Sequence, residues 1–329
     1  MNNEWLTFLT EDAAIPDLPT KAERMAFCGL TDLGLLRVSG EDAEIFLQGQ
    51  TTCDIAGLKS DDSGLGAFCN PKGRVIASFR ILRHGESYYL FVPADLVETI
   101  HKRLRIYVLR SKVSIENLTA QWGFIGFFGT GSDLSKVFAF HQSGDVLTIH
   151  IGQNSERLLI AAETETAKRI WHGLRSSPEL IPVNSCAWRL KNIEEGLPSE
   201  TQATSEEFLP QMLNLDALGG ISYRKGCYTG QEVVARTHFL GNLKRRMFRL
   251  RTIGEREPNP GDPIYQSGES DGQRVGQVVA AAPDSERVFQ LLAVLPIDRA
   301  HDTDLRLYRP DGPATEFLTL PYTFDVPQP

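Results

Sequence analysis

A chain of 329 residues is too long for one simple core and predicts two or three domains. Its 41% apolar and 23% charged residues exclude a disordered chain. The formal charge of −8 argues against a general nucleic-acid coat, because counterion release needs surplus Lys and Arg, although a local basic patch stays possible.

The segment Met1–Trp5 has no basic character, and Glu11 and Asp12 interrupt any apolar core, so no signal peptide is expected. No apolar run approaches membrane-spanning length, and a cytoplasmic protein with no membrane partner is expected. Cys28, Cys53, Cys69, Cys186 and Cys227 are odd in number and scattered, which predicts reduced thiols and no clustered metal ligands.

In chain order, the first thirty residues, with Pro16 and Pro19, predict a surface lead-in. Residues 35–38 read as a strand, and Ser39 with Asp42 as a helix start ahead of Ile45-Phe46. Residues 64–69 and 75–82 read as paired strands around the turn Asn70-Pro71-Lys72-Gly73, with a further strand over 88–92. Leu96, Ile100 and Leu104 recur every four residues and predict an amphipathic helix before a strand at 113–115. Strands at 123–128, 146–149 and 158–160 precede a helix over 166–174 and a second over 186–195, stopped by Gly196 and Pro198. Beyond 243, short strands at 247–250, 264–265, 275–279 and 288–294 lie between Gly, Pro and Asp turns with no helix, which predicts a small β-barrel. The expected fold class is α+β. Its predicted domains are 1–115, 116–242 (a second α+β module, plausibly interleaved with the first) and 243–329 (the barrel).

The run Lys225-Gly226-Cys227-Tyr228-Thr229-Gly230-Gln231-Glu232 places a lone thiol between basic residues and an expected helix start. Thr229 and Glu232 have capping-box spacing, so Thr229 is the expected N-cap of a helix through Arg236. Cys227 would then lie two residues outside the positive helix end, near Arg224 and Lys225, where thiolate is favoured. Gly226 and Gly230 free the backbone to turn around the sulfur. A buried structural cysteine beside an ordinary capped helix is the simpler alternative, but glycines, charges and cap together favour function. Glu232 is expected to cap rather than react.

These residues, with the preceding Leu209–Ser222 and the following Val233–Arg236, resemble the signature of the YgfZ family of folate-binding proteins. That family belongs to the superfamily of the glycine-cleavage T-protein, a folate-dependent aminomethyltransferase. Further similar stretches are Leu33–Gly40, Phe46–Gln50, Asn70–Arg74, Tyr107–Val113 and Glu194–Pro198, so the resemblance covers roughly residues 30 to 246. It implies ferredoxin-like folate-binding modules followed by a C-terminal barrel. Tetrahydrofolate or a related reduced folate is the implied cofactor, and iron–sulfur enzymes, including tRNA-modifying ones, or their assembly proteins are the implied partners. Cys227, with Lys225 beside it, would be the reactive thiol.

A reduced folate presents a donor–acceptor pterin edge, a flat apolar middle and an acidic tail. Its pocket needs a carboxylate or amide, apolar walls and outer positive charge. Glu194 matches the superfamily position that grips the pterin, and a carboxylate kept at a helix C-terminus, where the dipole opposes it, fits a ligand role. Arg74, Arg110 and Lys112 are candidates for the tail, ranked below Glu194, and Tyr228 and Gln231 are candidate contacts beside the thiol. The transferases carry an assisting aspartate on the strand after the Asn-x-Lys-Gly turn; here that stretch holds Ala77 and Ser78. Glycine-cleavage activity is therefore not expected unless another residue compensates, and one-carbon transfer to a different substrate is the alternative. Arg236, Lys244, Arg245, Arg246, Arg249 and Arg251 form the densest basic stretch. Arg249 and Arg251 alternate with apolar residues as on a half-wet strand, so direct RNA binding, as in a non-catalytic adaptor, is possible but not favoured.

Overall fold

The computed structural model describes residues 2–12, 25–129, 146–151, 157–241, 243–267, 273–299 and 304–324. Three sheets carry the architecture. The first runs β3 (Ser63–Cys69), β4 (Val75–His84), β5 (Ser87–Pro93), β2 (Leu33–Ser39), β6 (Ser114–Asn117), all antiparallel. On it lie the helices Ala43–Gln48 and Val97–Val108, which bury Phe46, Leu47, Ile100 and Leu104 against Leu36, Ile76, Ile81 and Leu90. The four-residue spacing that predicts the second helix is the spacing that fills this core. Each fully buried Ile or Leu there contributes about 1.5–3 kcal/mol relative to exposure.

The second sheet runs β10 (Ile181–Pro182), β1 (Ala26–Leu30), β7 (Trp122–Phe128), β9 (Arg157–Glu163), β8 (Val146–Ile151). Strand β7 alternates between two cores. Phe124 and Phe128 pack toward Leu35 and Phe91 of the first sheet and toward Trp188, while Ile125 and Phe127 pack toward Trp171 of the Thr164–Arg175 helix. Both faces are covered, so the segment reads as one apolar run rather than as alternation. Residues 1–115 thus contain β1, which belongs to the sheet of β7, and the limit at 115 falls inside β6.

The predicted surface lead-in is corrected by the structure. Asn3–Glu11 is a helix whose Trp5 is 1% exposed, and the Asn2 amide donates to the Trp122 carbonyl and the Thr164 hydroxyl at 3.0 and 2.7 Å. Strand β1 is buried along its whole length, and Gly29 admits Leu9 at a distance where a Cβ would lie 2.3 Å from its methyl. Pro16 and Pro19 lie outside the described residues.

The third sheet runs β15 (Leu305–Leu307), β12 (Pro263–Gln266), β13 (Arg274–Ser285), β14 (Val288–Pro296), β11 (Arg245–Ile253), β16 (Thr315–Leu318). It curls, and its two edge strands meet only through the isolated bridge Arg306–Ala314, so the expected closed barrel is an open half-barrel. Its outer core joins Leu190 and Ile193 of the Ser185–Glu194 helix, Leu213, Val234 and Val75 of the first sheet. That helix therefore sits where all three sheets converge.

Candidate functional site

The Cys227 loop is fixed from below by tertiary contacts. Gly230 has φ +84° and is the N-cap position of the helix Gln231–Phe239, with no side-chain capping bond. The expected capping box is thus corrected: the helix starts later than Thr229 allows, and Cys227 lies three residues before the cap. A left-handed residue is needed because the turn Asn70–Gly73 presses against it: a Cβ on Gly230 would lie 2.5 Å from the Asn70 carbonyl oxygen. Gly226 has open space instead, with nothing within 4 Å of the point a Cβ would occupy.

Lys225 does not reach toward the sulfur of Cys227. Its Nζ donates to the carbonyls of Thr51 and Cys53 at 2.8 and 2.6 Å and lies 5.2 Å from the Tyr228 ring centroid. Desolvation pushes this amine down to about 8. A neutral amine has two N–H groups, the number that these two carbonyls accept. In the unfolded chain Lys225 titrates in the ordinary lysine range, near 10.5. Between about pH 8 and that range the unfolded chain holds the extra proton, so stability rises with pH across this window. Below it both states are charged and the burial cost is fully present. Wild type should therefore gain in unfolding midpoint relative to Lys225→Met between pH 7.5 and 10; parallel curves would refute the assignment.

Tyr228 is buried beside Cys69 and Cys53, and burial raises its phenol pKa. Gln231 Nε2 donates to the Gly226 carbonyl at 3.4 Å, closing the loop. Arg74 lies just past the turn that supports Gly230 and donates to the Glu207 carbonyl. The structure thus places Lys225, Cys227 and Tyr228 on one loop and Gln231 at the start of the helix that follows, with the turn preceding Arg74 beneath them. Arg110 and Lys112 are not in this group: Lys112 pairs with Glu41 at 2.6 Å, and Arg110 lines a separate depression with Asp42, Tyr107 and Leu109. Glu194 is bonded to Lys191 at 2.7 Å and lies 4.0 Å from Arg249.

Of the five thiols, four are buried and Cys227 alone is exposed. Desolvation pushes Cys53 up to about 11 and Cys69 to about 12, and it also raises Cys28 and Cys186.

Where the three sheets converge, a cavity of about 410 Å³ is bounded by Asp32, Asp95, Arg189, Glu200, Glu257 and Pro258. A smaller one of about 90 Å³, lined by Ser78, Arg80, Phe91, Leu159 and Trp188, shares Pro93, Asn192, Leu197 and Ser199 with it. Together they form one cleft with apolar walls and polar ends. Arg157, 2% exposed, lies behind the Trp188 wall: its guanidinium carbon is 4.0 Å from that ring centroid, and it pairs with Glu195 at 3.1 Å. Arg80 is pushed down to about 10 by desolvation and by Arg157. Sequence reasoning missed Arg157, Glu195 and Glu200. An arginine opening an apolar strand reads as exposed, and Glu200 sits in a Pro-Ser-Glu-Thr loop without periodicity.

The GCVT N-terminal domain family model matches residues 11–138. The tRNA-modifying protein YgfZ of Escherichia coli O7:K1 is 32% identical over 322 residues, covering 94% of this chain and 98% of its own. That of Photobacterium profundum is 32% identical over 311 residues, covering 93% and 94%. The glycine cleavage system aminomethyltransferase T of Bartonella henselae superposes with a TM-score of 0.74 at 15% identity, covering 96% of each chain, so the two share a fold. At this identity along nearly its full length, and with the K-G-C-Y-T-G-Q-E loop held at the junction of the first sheet and the Gln231–Phe239 helix, this chain belongs to the YgfZ family.

Proposed function

We propose that the protein binds a reduced folate in the three-sheet cleft and uses Cys227 as a reactive thiol in the assembly or repair of iron–sulfur enzymes, including tRNA-modifying ones. The observation that carries the thiol role is exposure: Cys227 is the one cysteine of five open to a reaction partner. Thiolate chemistry requires access as well as ionisation. The similar YgfZ proteins are named as tRNA-modifying, which supports the link to that chemistry. A cytoplasmic setting accords with this reading, and no described helix is long and apolar enough to cross a membrane.

The cleft fits a folate by its chemistry. Phe91 and Trp188 give flat apolar walls, and Asn192, Asp32 and Arg189 offer polar atoms. A bound folate would supply the one-carbon or redox-active pterin, while the protein's residues orient it and exclude water. Ala77 is 0% exposed within the core of the first sheet, so the transferase acid has no counterpart on that side chain. Among the basic residues, Arg246 is committed to Asp216 at 2.6 and 2.8 Å and Arg249 to Gln290, which leaves neither for a phosphate backbone.

Native protein treated with an aromatic disulfide reagent should release one equivalent of thiolate rapidly, and Cys227→Ser should release none. Cells lacking the protein should lose iron–sulfur enzyme activity, recover it with wild type, and fail to recover it with Cys227→Ser at equal abundance. Equal rescue by the serine variant would make the thiol dispensable. No effect of wild type would remove the iron–sulfur reading.

A further inference from the structure

We propose that the outer end of the Val97–Val108 helix is a docking surface for an acidic protein segment that carries apolar side chains. The stretch Tyr107–Val113 lines neither cavity of the cleft. Tyr107, Leu109, Arg110 and Ser111 instead bound an open depression of about 680 Å³ together with Asp42. The backbone at this depression is strained in a way that holds an apolar side chain in water. Leu109, directly after the helix, has φ +44°, in the region that favours glycine, and is 86% exposed. Neither the local backbone nor the core of the first sheet gains from a leucine there. Ile106, one turn earlier, is 70% exposed, and Ile45, three residues beyond Asp42 on the neighbouring helix, is 75% exposed.

Uncompensated positive charge surrounds these side chains. Lys102, Arg105 and Arg110 are exposed, and among the described residues their side chains make no ion pair or hydrogen bond. Lys102 is three residues from Arg105 and four from Ile106, so cations and aliphatics share one helix face, with Leu109 and Arg110 at its end. The neighbouring acids are already committed. Glu41 pairs with Lys112 at 2.6 Å, Asp42 accepts the Lys112 backbone N–H at 2.7 Å, and Glu98 accepts the Asn117 amide at 2.6 Å. This face is therefore locally positive on a chain whose formal charge is −8. A cation near a helix C-terminus is ordinary and accounts for Arg105, but not for the aliphatic side chains beside it. Two features select a protein as the occupant. Ile106 and Leu109 gain from burial only against another apolar surface, which a phosphodiester backbone does not offer. The Tyr107 ring already has the Arg103 guanidinium 5.6 Å from its centroid, so one face of this aromatic is taken from any nucleobase. Apolar anchors within a rim of cations are matched by apolar side chains within a rim of carboxylates.

The test is fluorescence anisotropy of a labelled amphipathic peptide of Glu and Leu, titrated with the full-length protein. Arg110→Glu should weaken binding about tenfold. Lys244→Glu, the same charge change just before β11, should leave it within about twofold. Leu109→Gly should weaken binding as much as Arg110→Glu without lowering the thermal unfolding midpoint, because glycine adopts φ +44° freely. Should Leu109→Gly unfold earlier, the exposed Arg110→Glu substitution decides. No binding by wild type, equal binding by the variants, or an equal loss in Lys244→Glu would overturn the assignment. Tighter binding of transfer RNA or of phosphatidylserine vesicles, lost in the same variants, would replace the protein partner by RNA or membrane. In cells that wild type rescues, Leu109→Gly/Arg110→Glu, with its Cys227 thiol intact, should fail to rescue, and full rescue would also overturn the assignment. Only this cellular arm rests on the iron–sulfur reading. Failure of wild type to rescue removes that reading and leaves the docking surface to be decided by the peptide.

Discussion

Replacing Arg157 by Met is expected to destabilise the protein by about 3–5 kcal/mol, the cost of stripping one partner from a buried ion pair. The Arg157 side chain is 2% exposed and holds Glu195 at 3.1 Å, the Asn192 side-chain oxygen at 2.7 Å and the Trp188 ring at 4.0 Å. Desolvation lowers its pKa while Glu195 raises it, so the pair maintains the charge. Methionine keeps the stem volume but takes the paired guanidinium from Glu195, 19% exposed, and leaves it only the charge of Arg80. The double variant Arg157→Met/Glu195→Gln should recover more than half of the loss, because the uncompensated charge and not the missing contact dominates. Denaturant titration followed by near-ultraviolet circular dichroism measures both. A single-variant loss below about 1 kcal/mol would show that water reaches the pair and screens it.

Gly230→Ala is expected to disorganise the thiol loop, and Gly226→Ala four residues earlier to be nearly neutral. At φ +84° a non-glycine residue costs about 1–2 kcal/mol from local sterics alone. The new Cβ would also lie 2.5 Å from the Asn70 carbonyl oxygen and 2.9 Å from the Gly73 Cα, both backbone atoms that cannot rotate away. The turn and the helix start must separate, and Cys227 moves with them. Gly226 has no positive φ and open space around its Cα. Hydrogen exchange across residues 226–236 should accelerate at least tenfold in Gly230→Ala and remain at wild-type rates in Gly226→Ala. Equal protection in both variants would mean that the turn at Asn70–Gly73 does not support the loop.

Much of the local structure was legible because local rules decided it. The four-residue spacing of Leu96, Ile100 and Leu104 anticipated the Val97–Val108 helix, and the Asn70-Pro71-Lys72-Gly73 turn anticipated the β3–β4 hairpin. The first helix and β1 were not legible: Trp5 and Gly29 acquire meaning only from the partners that cover them. The capping box failed for a related reason. Thr229 and Glu232 have the right spacing, but contact with the Asn70–Gly73 turn demands a left-handed residue and gives the cap position to Gly230.

The sequence by itself determined the family, the α+β class and the single loop on which the thiol sits, because these are written in contiguous residues and short periods. Tertiary structure alone decided which thiol is exposed, where Lys225 points and how the third sheet ends as a half-barrel. It also decided that Arg157 and Glu195 form a buried pair behind Trp188, and that Glu200 stands at Ser78, 122 residues away along the chain. Burial and desolvation depend on what the rest of the chain places around a group, and spacing along the sequence carries no record of that.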